Sequence, residues 1–302
     1  MRRKAVHTNG KRLLRVWGVL VVIYCLFFGV IKTFESSDAP PTNDTQPNRA
    51  SIENLLLEDN PRLIDLNQVI DHKRCWTQLR TDQEYCLSYS AEYTEAHQST
   101  RYKNALKKTM PPINTGYIGV WKTVYGSLYQ RNPAALSQIA DSLKRLAERR
   151  QLTRTQFARA VVSFVQDIPY WYILGERSCK NVKDKSFPCI DGIQFGLLTP
   201  TEVAYTAIGD CDSKSLLLYS LLKTLGYQPM VLISKEYQHS LLALDISSSG
   251  EYIEYKGRLY YFWETTAKGW QSGMLPPSSS NKDYWRIALP PDFTPDNAYK
   301  TL

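Results

Sequence analysis

The segment from Cys211 to Gly226 constrains the fold of this chain most, because its helical pattern is apolar on nearly every side. It contains six leucines, at positions 216, 217, 218, 221, 222 and 225. A helix that is apolar all round is stable only when it is buried at the centre of a domain. Gly226 follows the last leucine and is a suitable C-terminal cap. The rest of the chain must therefore provide elements that cover this helix.

Other helices and strands are predicted around it. Asn132 is a suitable cap for a helix with Pro133 at its first position and an apolar stripe over 136–147. Thr153 and Gln156 form a capping box for the next helix. Three strand-like segments follow the central helix: QPMVLIS, HSLLALDI and RLYYFWETT. Helices first, then a central helix and consecutive strands, indicate an α+β fold with an antiparallel sheet.

The uncharged run VWGVLVVIYCLFFGVI, from Val16 to Ile31, predicts one transmembrane helix. It is slightly short for a bilayer, but Leu13 and Leu14 extend it. Basic residues precede it, so we expect a cytoplasmic N-terminus and an extracytoplasmic, periplasmic C-terminal domain at the inner cell membrane. A cleaved signal peptide is the alternative. The sequence KTFESSDAPP that follows has no clear cleavage site and favours an uncleaved signal-anchor.

The net charge of +8 does not predict a nucleic-acid partner. Seven of the 37 basic residues, and none of the 29 acidic ones, lie between Met1 and Phe34. The remainder of the chain is nearly neutral, so the positive charge belongs to the segment that flanks the membrane.

The six cysteines are consistent with export. Cys25 lies in the predicted span, four others form two pairs that are close in sequence, and Cys211 remains alone. In an oxidising compartment we expect two local disulfides and one free thiol. Buried thiols, other pairings, or a metal site from His72 and Cys75 are the alternatives. The expected pairs are Cys75 with Cys86 and Cys179 with Cys189.

A thiol nucleophile needs a lowered pKa, a neighbouring base and a group that orients this base. Cys211 begins the central helix, where free amides and the helix dipole favour a thiolate and can stabilise an oxyanion. Asp210 is a suitable cap for the same helix end. His239 opens the second strand segment, and Glu264 lies near the end of the third. Antiparallel pairing brings these two ends together, which lets Glu264 accept the second ring N–H of His239.

The order of these three residues resembles that of the transglutaminase-like superfamily of cysteine proteases, in its bacterial branch. The segments that carry the resemblance are FVQDIPYWY, GDCDSKSLLLYSLLKTLGYQPMVLI, QHSLLALD and YYFWETTAKGW. It implies a transglutaminase-like or papain-like core, in which the helix that carries the cysteine packs on the antiparallel sheet. It also implies that Cys211 is the nucleophile, His239 the general base and Glu264 its orienting acid, without a metal or another cofactor.

Two departures separate the chain from the animal cross-linking enzymes of this superfamily. Glu264 stands where the better-known members have aspartate, and no calcium-binding loop is visible in the sequence. A side-chain donor for the oxyanion hole has only a weak candidate, Gln194, chosen for its position and its amide. Because no amine site is evident either, hydrolysis by water is favoured over transamidation.

The predicted organisation has five parts. Residues 1–34 form a basic cytoplasmic tail with the membrane anchor, and residues 35–50 form a flexible linker. Residues 51–114 form an N-terminal helical portion without an assigned role. Residues 115–291 form the transglutaminase-like domain, and residues 292–302 a C-terminal tail. The proline-rich sequence from PPSSS onward is expected to wrap the surface or stay loose.

Each candidate residue also has a purely structural interpretation. Cys211 is then a small apolar residue against a core, His239 a core histidine and Glu264 a member of a cross-strand ion pair. The segment IPYWYI fits core packing as well as an aromatic wall for a substrate. Asp212 and Lys214 are interpreted as a solvated helix start.

The sequence therefore predicts a membrane-anchored, extracytoplasmic thiol hydrolase that cleaves amide or peptide bonds through a thioester on Cys211. Its expected partners are a peptide or protein substrate, cell-envelope components included, and the membrane. The alternative is a noncatalytic module on the same fold that binds a peptide or a cell-envelope partner. A disulfide-handling protein is disfavoured because Cys211 has no C-x-x-C partner.

Overall fold

The elements of the chain form two groups, a helical N-terminal part with a hairpin and a C-terminal sheet. The computed structural model describes residues 52–53, 55–56, 68–79, 81–110, 116–131 and 136–294. Its strands are β1 (Val69–Gln78), β2 (Gln83–Glu92), β3 (Tyr172–Ile173), β4 (Cys189–Ile190), β5 (Pro229–Ser234), β6 (His239–Leu244), β7 (Tyr252–Tyr255), β8 (Arg258–Trp263) and β9 (Arg286–Leu289). Its helices are α1 (Tyr93–Thr109), α2 (Gly116–Arg131), α3 (Ser137–Arg150), α4 (Arg154–Gln166), α5 (Pro200–Thr206) and α6 (Cys211–Thr224).

The sheet of β5 to β9 is antiparallel throughout, with the strand order β7–β8–β6–β5–β9. Alternate side chains of a strand point to opposite faces of the sheet. Both faces of the central strands are buried, each against a different apolar cluster. Val231 and Leu242 face the main core, whereas Leu232 and Leu241 face a second apolar cluster. The structure is therefore α+β with an antiparallel sheet, as the sequence predicts.

The leucine-rich helix α6 packs against β5 and β6 and lies at the centre of the main core. Its five leucines from Leu216 to Leu222 are at most 1% exposed. Each buried leucine of this kind contributes roughly 2–3 kcal/mol of transfer free energy. The burial of α6 on all sides fixes the place of its first residue, Cys211, relative to the sheet.

The N-terminal portion contains a β-hairpin. The sequence predicted only helix for residues 51–114, and this prediction is wrong for the hairpin. Strands β1 and β2 pair in antiparallel register and precede α1. Strand β1 alternates between buried and exposed positions with a period of two. Three of its five buried side chains are nevertheless polar, which hid the strand pattern. The buried positions of β1 are Ile70, His72, Arg74, Trp76 and Gln78.

One hydrophobic core crosses the boundary that was expected at residues 114 and 115. Trp76 of β1 and Tyr89 of β2 both contact the ring of Phe164 in α4. The Trp76 ring N–H also donates a hydrogen bond to Ser163 Oγ at 3.0 Å. The hairpin is therefore a part of the same folded unit as the helices that follow it.

Both predicted cysteine pairs are joined in the structure. Cys75 and Cys86 lie directly opposite each other in β1 and β2, and their sulfur atoms are bonded. Cys179 and Cys189 close the surface excursion between β3 and β4. Because Cys75 is in a disulfide, the alternative of a metal site with His72 is wrong.

The C-terminal segment contains a strand that the sequence did not predict. Residues Arg286–Leu289 form β9, which pairs with β5 and covers an edge of the sheet. Its register against β5 shifts between Val231 and Leu232. Prolines on both sides of this four-residue strand concealed it, since proline is typical of loops. The turn region before β8 likewise contains a strand, β7.

Several predictions concern residues outside those that the structure describes. These are the basic tail and membrane anchor (1–34), the linker (35–50), the helix cap at Asn132 and Pro133, and the tail beyond residue 294. Among the described helices, none combines the length and the hydropathy needed to cross a bilayer.

Candidate active site

Cys211 is the first residue of α6 and is the free cysteine of the described chain. The side chain of Asp210 caps the helix, as predicted, because its Oδ1 accepts hydrogen bonds from Ser213 N at 3.0 Å and from Ser213 Oγ at 2.5 Å. Cys211 is 8% exposed. The thiol thus lies at a helix N-terminus, in a residue that is buried.

His239 and Glu264 come together through the pairing of β6 with β8. His239 is the first residue of β6, and Glu264 directly follows β8. Since Leu242 lies opposite Trp263 in the antiparallel ladder, the start of β6 lies beside the end of β8. His239 Nε2 and Glu264 Oε2 are 2.8 Å apart. The structure therefore contains the acid–base contact that the sequence predicts.

The second oxygen of Glu264 is held by its own loop. Oε1 accepts hydrogen bonds from Thr265 N at 2.8 Å, from Thr266 N at 2.9 Å and from Thr266 Oγ1 at 2.7 Å. Burial alone would raise the pKa of Glu264, but the hydrogen bonds with His239 and Thr266 lower it below its ordinary value. The carboxylate is charged and fixed, so it can orient the imidazole.

The same contact sets the protonation of the imidazole. Burial would lower the pKa of His239, but the hydrogen bond and the charge of Glu264 raise it above 6.5, with smaller contributions from Asp212 and Asp210. The contact with Glu264 uses Nε2, so any proton exchange with another group would use the second ring nitrogen, Nδ1. The arrangement is that of a base oriented by an acid.

Ser240, the residue after His239, connects the base to the thiol. Its backbone and its hydroxyl lie close enough to Cys211 to lower the pKa of the thiol. Asp212, the residue after Cys211, is in turn close enough to His239 for each charge to shift the pKa of the other. The starts of α6 and β6 therefore meet at one place, with Cys211 and His239 on neighbouring elements.

The surroundings of Cys211 oppose the thiolate that is expected at the helix start. Burial raises the pKa of Cys211 well above its ordinary value, and the carboxyl groups of Asp212 and Asp210 raise it further. The nearby Ser240 opposes this rise without reversing it. A thiol of this kind would need a base to remove its proton before it could act as a nucleophile.

Two carboxyl groups flank the thiol. Burial raises the pKa of Asp210 to about 8, and the neighbouring Asp212 adds to this rise. Burial also raises the pKa of Asp212, against a hydrogen bond from the hydroxyl of Tyr125. One oxygen of each carboxyl lies within 4.8 Å of the other and of Cys211 Sγ. The two carboxyl groups accept hydrogen bonds from Ser213 and Tyr125, so we assign no metal to Asp210, Cys211 and Asp212.

Three aromatic side chains of α2 lie near Cys211. Tyr117, Trp121 and Tyr125 follow one another along α2, with ring centroids 6.2 Å and 5.3 Å apart. Burial and the nearby groups Asp212 and Cys211 raise the pKa of Tyr117 to about 12. Tyr117 is 36% exposed, whereas Tyr125 is fully buried. The three rings thus extend from the exposed Tyr117 to the buried Tyr125, which donates a hydrogen bond to Asp212.

The segment IPYWYI packs in the core at its two ends, and its role as an aromatic wall for a substrate stays a prediction. Ile168 and Ile173 at its ends are buried in the main core. Tyr170 lies near the thiol, since burial and then the charge of Cys211 are the leading causes that raise its pKa. The segment therefore packs with its isoleucines and presents an aromatic ring to the site.

Lys214 is not solvated, contrary to the prediction, and Asp212 is half-buried. Lys214 is fully buried, and Asp212 is bonded to the buried Tyr125. A signal for Lys214 was present in the sequence, because a helix that must be covered on all sides also covers its lysine. Gln194 lies half-buried in a short turn, Gln194–Gly196, that packs on Gly175. Its role in an oxyanion hole stays a prediction.

The chain was compared with protein-family models, with curated proteins and with solved structures, and none of them matches it. The superfamily resemblance therefore depends on the residues of this chain alone.

Proposed function

We propose that the protein is a transglutaminase-like thiol hydrolase that cleaves amide or peptide bonds through a Cys211–His239–Glu264 triad. The observation that carries the proposal is the 2.8 Å contact between His239 and Glu264, next to a free cysteine at a helix N-terminus. Each residue then has a distinct chemical task, and a fold without catalysis would not need this combination.

The proposed reaction has two halves. Cys211 Sγ attacks the carbonyl carbon while its proton passes to Nδ1 of His239, and the amide of Cys211 stabilises the oxyanion. The tetrahedral intermediate collapses to a thioester when His239 gives this proton to the leaving amine. Water then attacks the thioester carbonyl and gives one proton to His239. The acid product leaves, and His239 returns the proton to the Cys211 sulfur.

We also propose an extracytoplasmic location with an N-terminal membrane anchor at the inner membrane. The two disulfides support this location, because such bonds persist in oxidising compartments. The uncharged run over residues 16–31 supports the anchor. Peptides or proteins in this compartment, cell-envelope components included, are the proposed substrates, with water as the acyl acceptor.

A noncatalytic binding module is the second candidate function. The observation that favours it is the raised pKa of the Cys211 thiol, caused by burial and the two flanking carboxyls. A neutral, buried thiol is typical of structural cysteines. The oriented imidazole of His239 favours the enzyme instead, since a binding site has no use for a base.

Acylation of Cys211 separates the two functions. We expect the full-length protein to react with p-nitrophenyl acetate, releasing one equivalent of p-nitrophenolate in a burst because the thioester forms faster than it is hydrolysed. Mass spectrometry should find the acetyl group on Cys211. The Cys211→Ala variant should show no burst. A wild-type protein that is not acylated at Cys211 would favour the binding module.

The pH dependence of this acylation should report on the imidazole. Its rate is expected to rise with pH through the pKa of His239, which Glu264 holds above 6.5, because only the neutral imidazole accepts the thiol proton. In Glu264→Gln the raising charge is lost, so the rise should move to lower pH. Stopped-flow rates between pH 5 and 9, roughly the range in which histidine titrates, measure this shift.

The matched control for the pH profile is Glu254→Gln. Glu254 is an exposed carboxylate on β7, in the same sheet. Its substitution should leave the profile unchanged. Identical profiles for Glu264→Gln and the wild-type protein would contradict the assigned role of Glu264.

A further inference from the structure

Lys214 is the side chain near the site whose burial the proposed mechanism does not explain. It lies three residues after Cys211, in the first turn of α6, and it is fully buried. Lysine is almost never fully buried, because removing its ammonium group from water is costly. A buried lysine therefore requires specific partners.

The partners of Lys214 are two backbone carbonyls on different segments. Its Nζ donates to Gln166 O at the end of α4 and to Thr266 O in the loop after β8, each at 3.2 Å. Burial lowers the pKa of Lys214 to about 7, while Asp167 and Glu264 raise it again and Arg74 and Lys268 lower it further. The ammonium group thus ties α6 to two other elements at a site with both charge signs.

Both of these elements hold Glu264. Thr266, whose carbonyl binds Lys214, donates to Glu264 Oε1 through its amide and its hydroxyl. Gln166, the other partner, donates from its side-chain amide to the backbone oxygen of Glu264 at 2.7 Å and to that of Trp270 at 2.9 Å. The contacts of Lys214 are therefore one step away from the carboxylate that orients His239.

The neighbouring residue of α6 supports the same connection. Ser215 Oγ lies 3.1 Å from Thr265 Oγ1. Two consecutive residues of the first turn of α6 thus contact the segment Thr265–Thr266. The first turn of α6, which begins with Cys211, is therefore hydrogen-bonded directly to the loop that follows Glu264.

We propose that Lys214 is a positioning residue that holds the Glu264 loop in place relative to Cys211, an inference that rests on the proposed function. Its ammonium group bridges Gln166 and Thr266, and through them it keeps Glu264 in hydrogen-bonding range of His239. The amine is retained in the interior because an apolar side chain cannot bind both carbonyls.

The test compares Lys214→Met with Lys223→Met in the full-length protein. Lys223 lies at the other end of α6 and donates to the carbonyl of Pro291 at 2.7 Å, so its variant is a matched loss of a lysine–carbonyl bond. The readouts are the pKa of His239, followed by NMR with labelled histidine and assigned from the His239→Ala spectrum, and the rate of Cys211 acylation.

We expect Lys214→Met to lower the pKa of His239 toward 6.5, because the contact with Glu264 loosens. Acylation should fall about 10- to 100-fold, the effect of a small displacement of a catalytic group. Lys223→Met should change neither value. Lys214→Gln, which keeps two N–H donors, should restore a part of both, and it replaces Lys214→Met in the comparison if the latter does not fold.

An unchanged His239 pKa together with an unchanged acylation rate in both Lys214 variants would overturn the proposal. A wild-type protein that shows no acylation, but whose His239 pKa falls in Lys214→Met, would overturn the hydrolase function and support the positioning role. The two readouts therefore distinguish failure of the positioning role from failure of the triad.

Discussion

Replacing His239 with alanine is expected to slow the acylation of Cys211 by about 10²- to 10⁴-fold, the contribution of a general base. The resting thiol is neutral, because burial and two carboxyl groups raise its pKa. Without an imidazole, attack on a carbonyl must wait for the rare thiolate. The burst of p-nitrophenolate measures this rate directly, and the loss should be greatest near neutral pH.

Added imidazole provides a control for this variant. The side chain of His239 is about 20% exposed, so its removal opens a space that solvent reaches. Free imidazole should bind there and restore a part of the rate in His239→Ala, but not in Cys211→Ala. His97→Ala, at a histidine that stacks on Tyr93 in α1, should retain the wild-type rate. A His239→Ala rate within twofold of wild type would remove the base from the mechanism.

The largest expected loss of stability follows from Glu202→Gln. Glu202 in α5 forms a salt bridge with Lys103 of α1, and the two side chains are 0% and 1% exposed. Its Oε2 is 2.8 Å from Lys103 Nζ and also accepts the amide of Thr199 at 2.6 Å. The substitution leaves the Lys103 ammonium buried without its counter-charge. We expect the free energy of unfolding to fall by about 3–5 kcal/mol.

Urea unfolding measures this loss of stability. Two further variants show whether the loss comes from the buried ion pair. The exposed pair Asp141 and Lys144 of α3 is the matched control, since Asp141→Asn should change stability by less than about 1 kcal/mol. The double variant Lys103→Met with Glu202→Gln should recover a part of the loss, because the buried ammonium group is then absent and the glutamine oxygen can still accept the amide of Thr199. A loss in Glu202→Gln as small as that in Asp141→Asn would contradict the assigned importance of the buried pair.

The sequence predicted the elements whose burial follows a simple apolar pattern. Helix α6 and strands β5, β6 and β8 were found because their apolar residues leave little choice of environment. Strand β1 was missed because Arg74 and His72 occupy buried positions, where Arg74 pairs with Asp167 and His72 stacks on Tyr89. A polar residue in a core is stabilised by partners from distant parts of the chain, and these are not visible locally.

The candidate site likewise contains residues that the sequence identifies and residues that it does not. Cys211, His239 and Glu264 were identified from the order of segments and from the superfamily resemblance. The groups that hold them were not, because they act largely through backbone atoms or through burial. Ser240 contacts the thiol through its position in β6, and Lys214 contacts carbonyls that any residue supplies. Such contacts depend on the fold and leave no signature in residue type.

The pairing of β6 with β8 has a consequence for how the length of this chain can vary. Inserting one residue near the end of β8 would shift Glu264 by about 3.4 Å and turn it to the opposite face of the sheet. Additional residues in the turn between β6 and β7, at residues 246–249, lie outside the strands and would leave His239 and Glu264 together. Related chains that keep the reaction should therefore differ in length at this connection and keep a constant count in the strands.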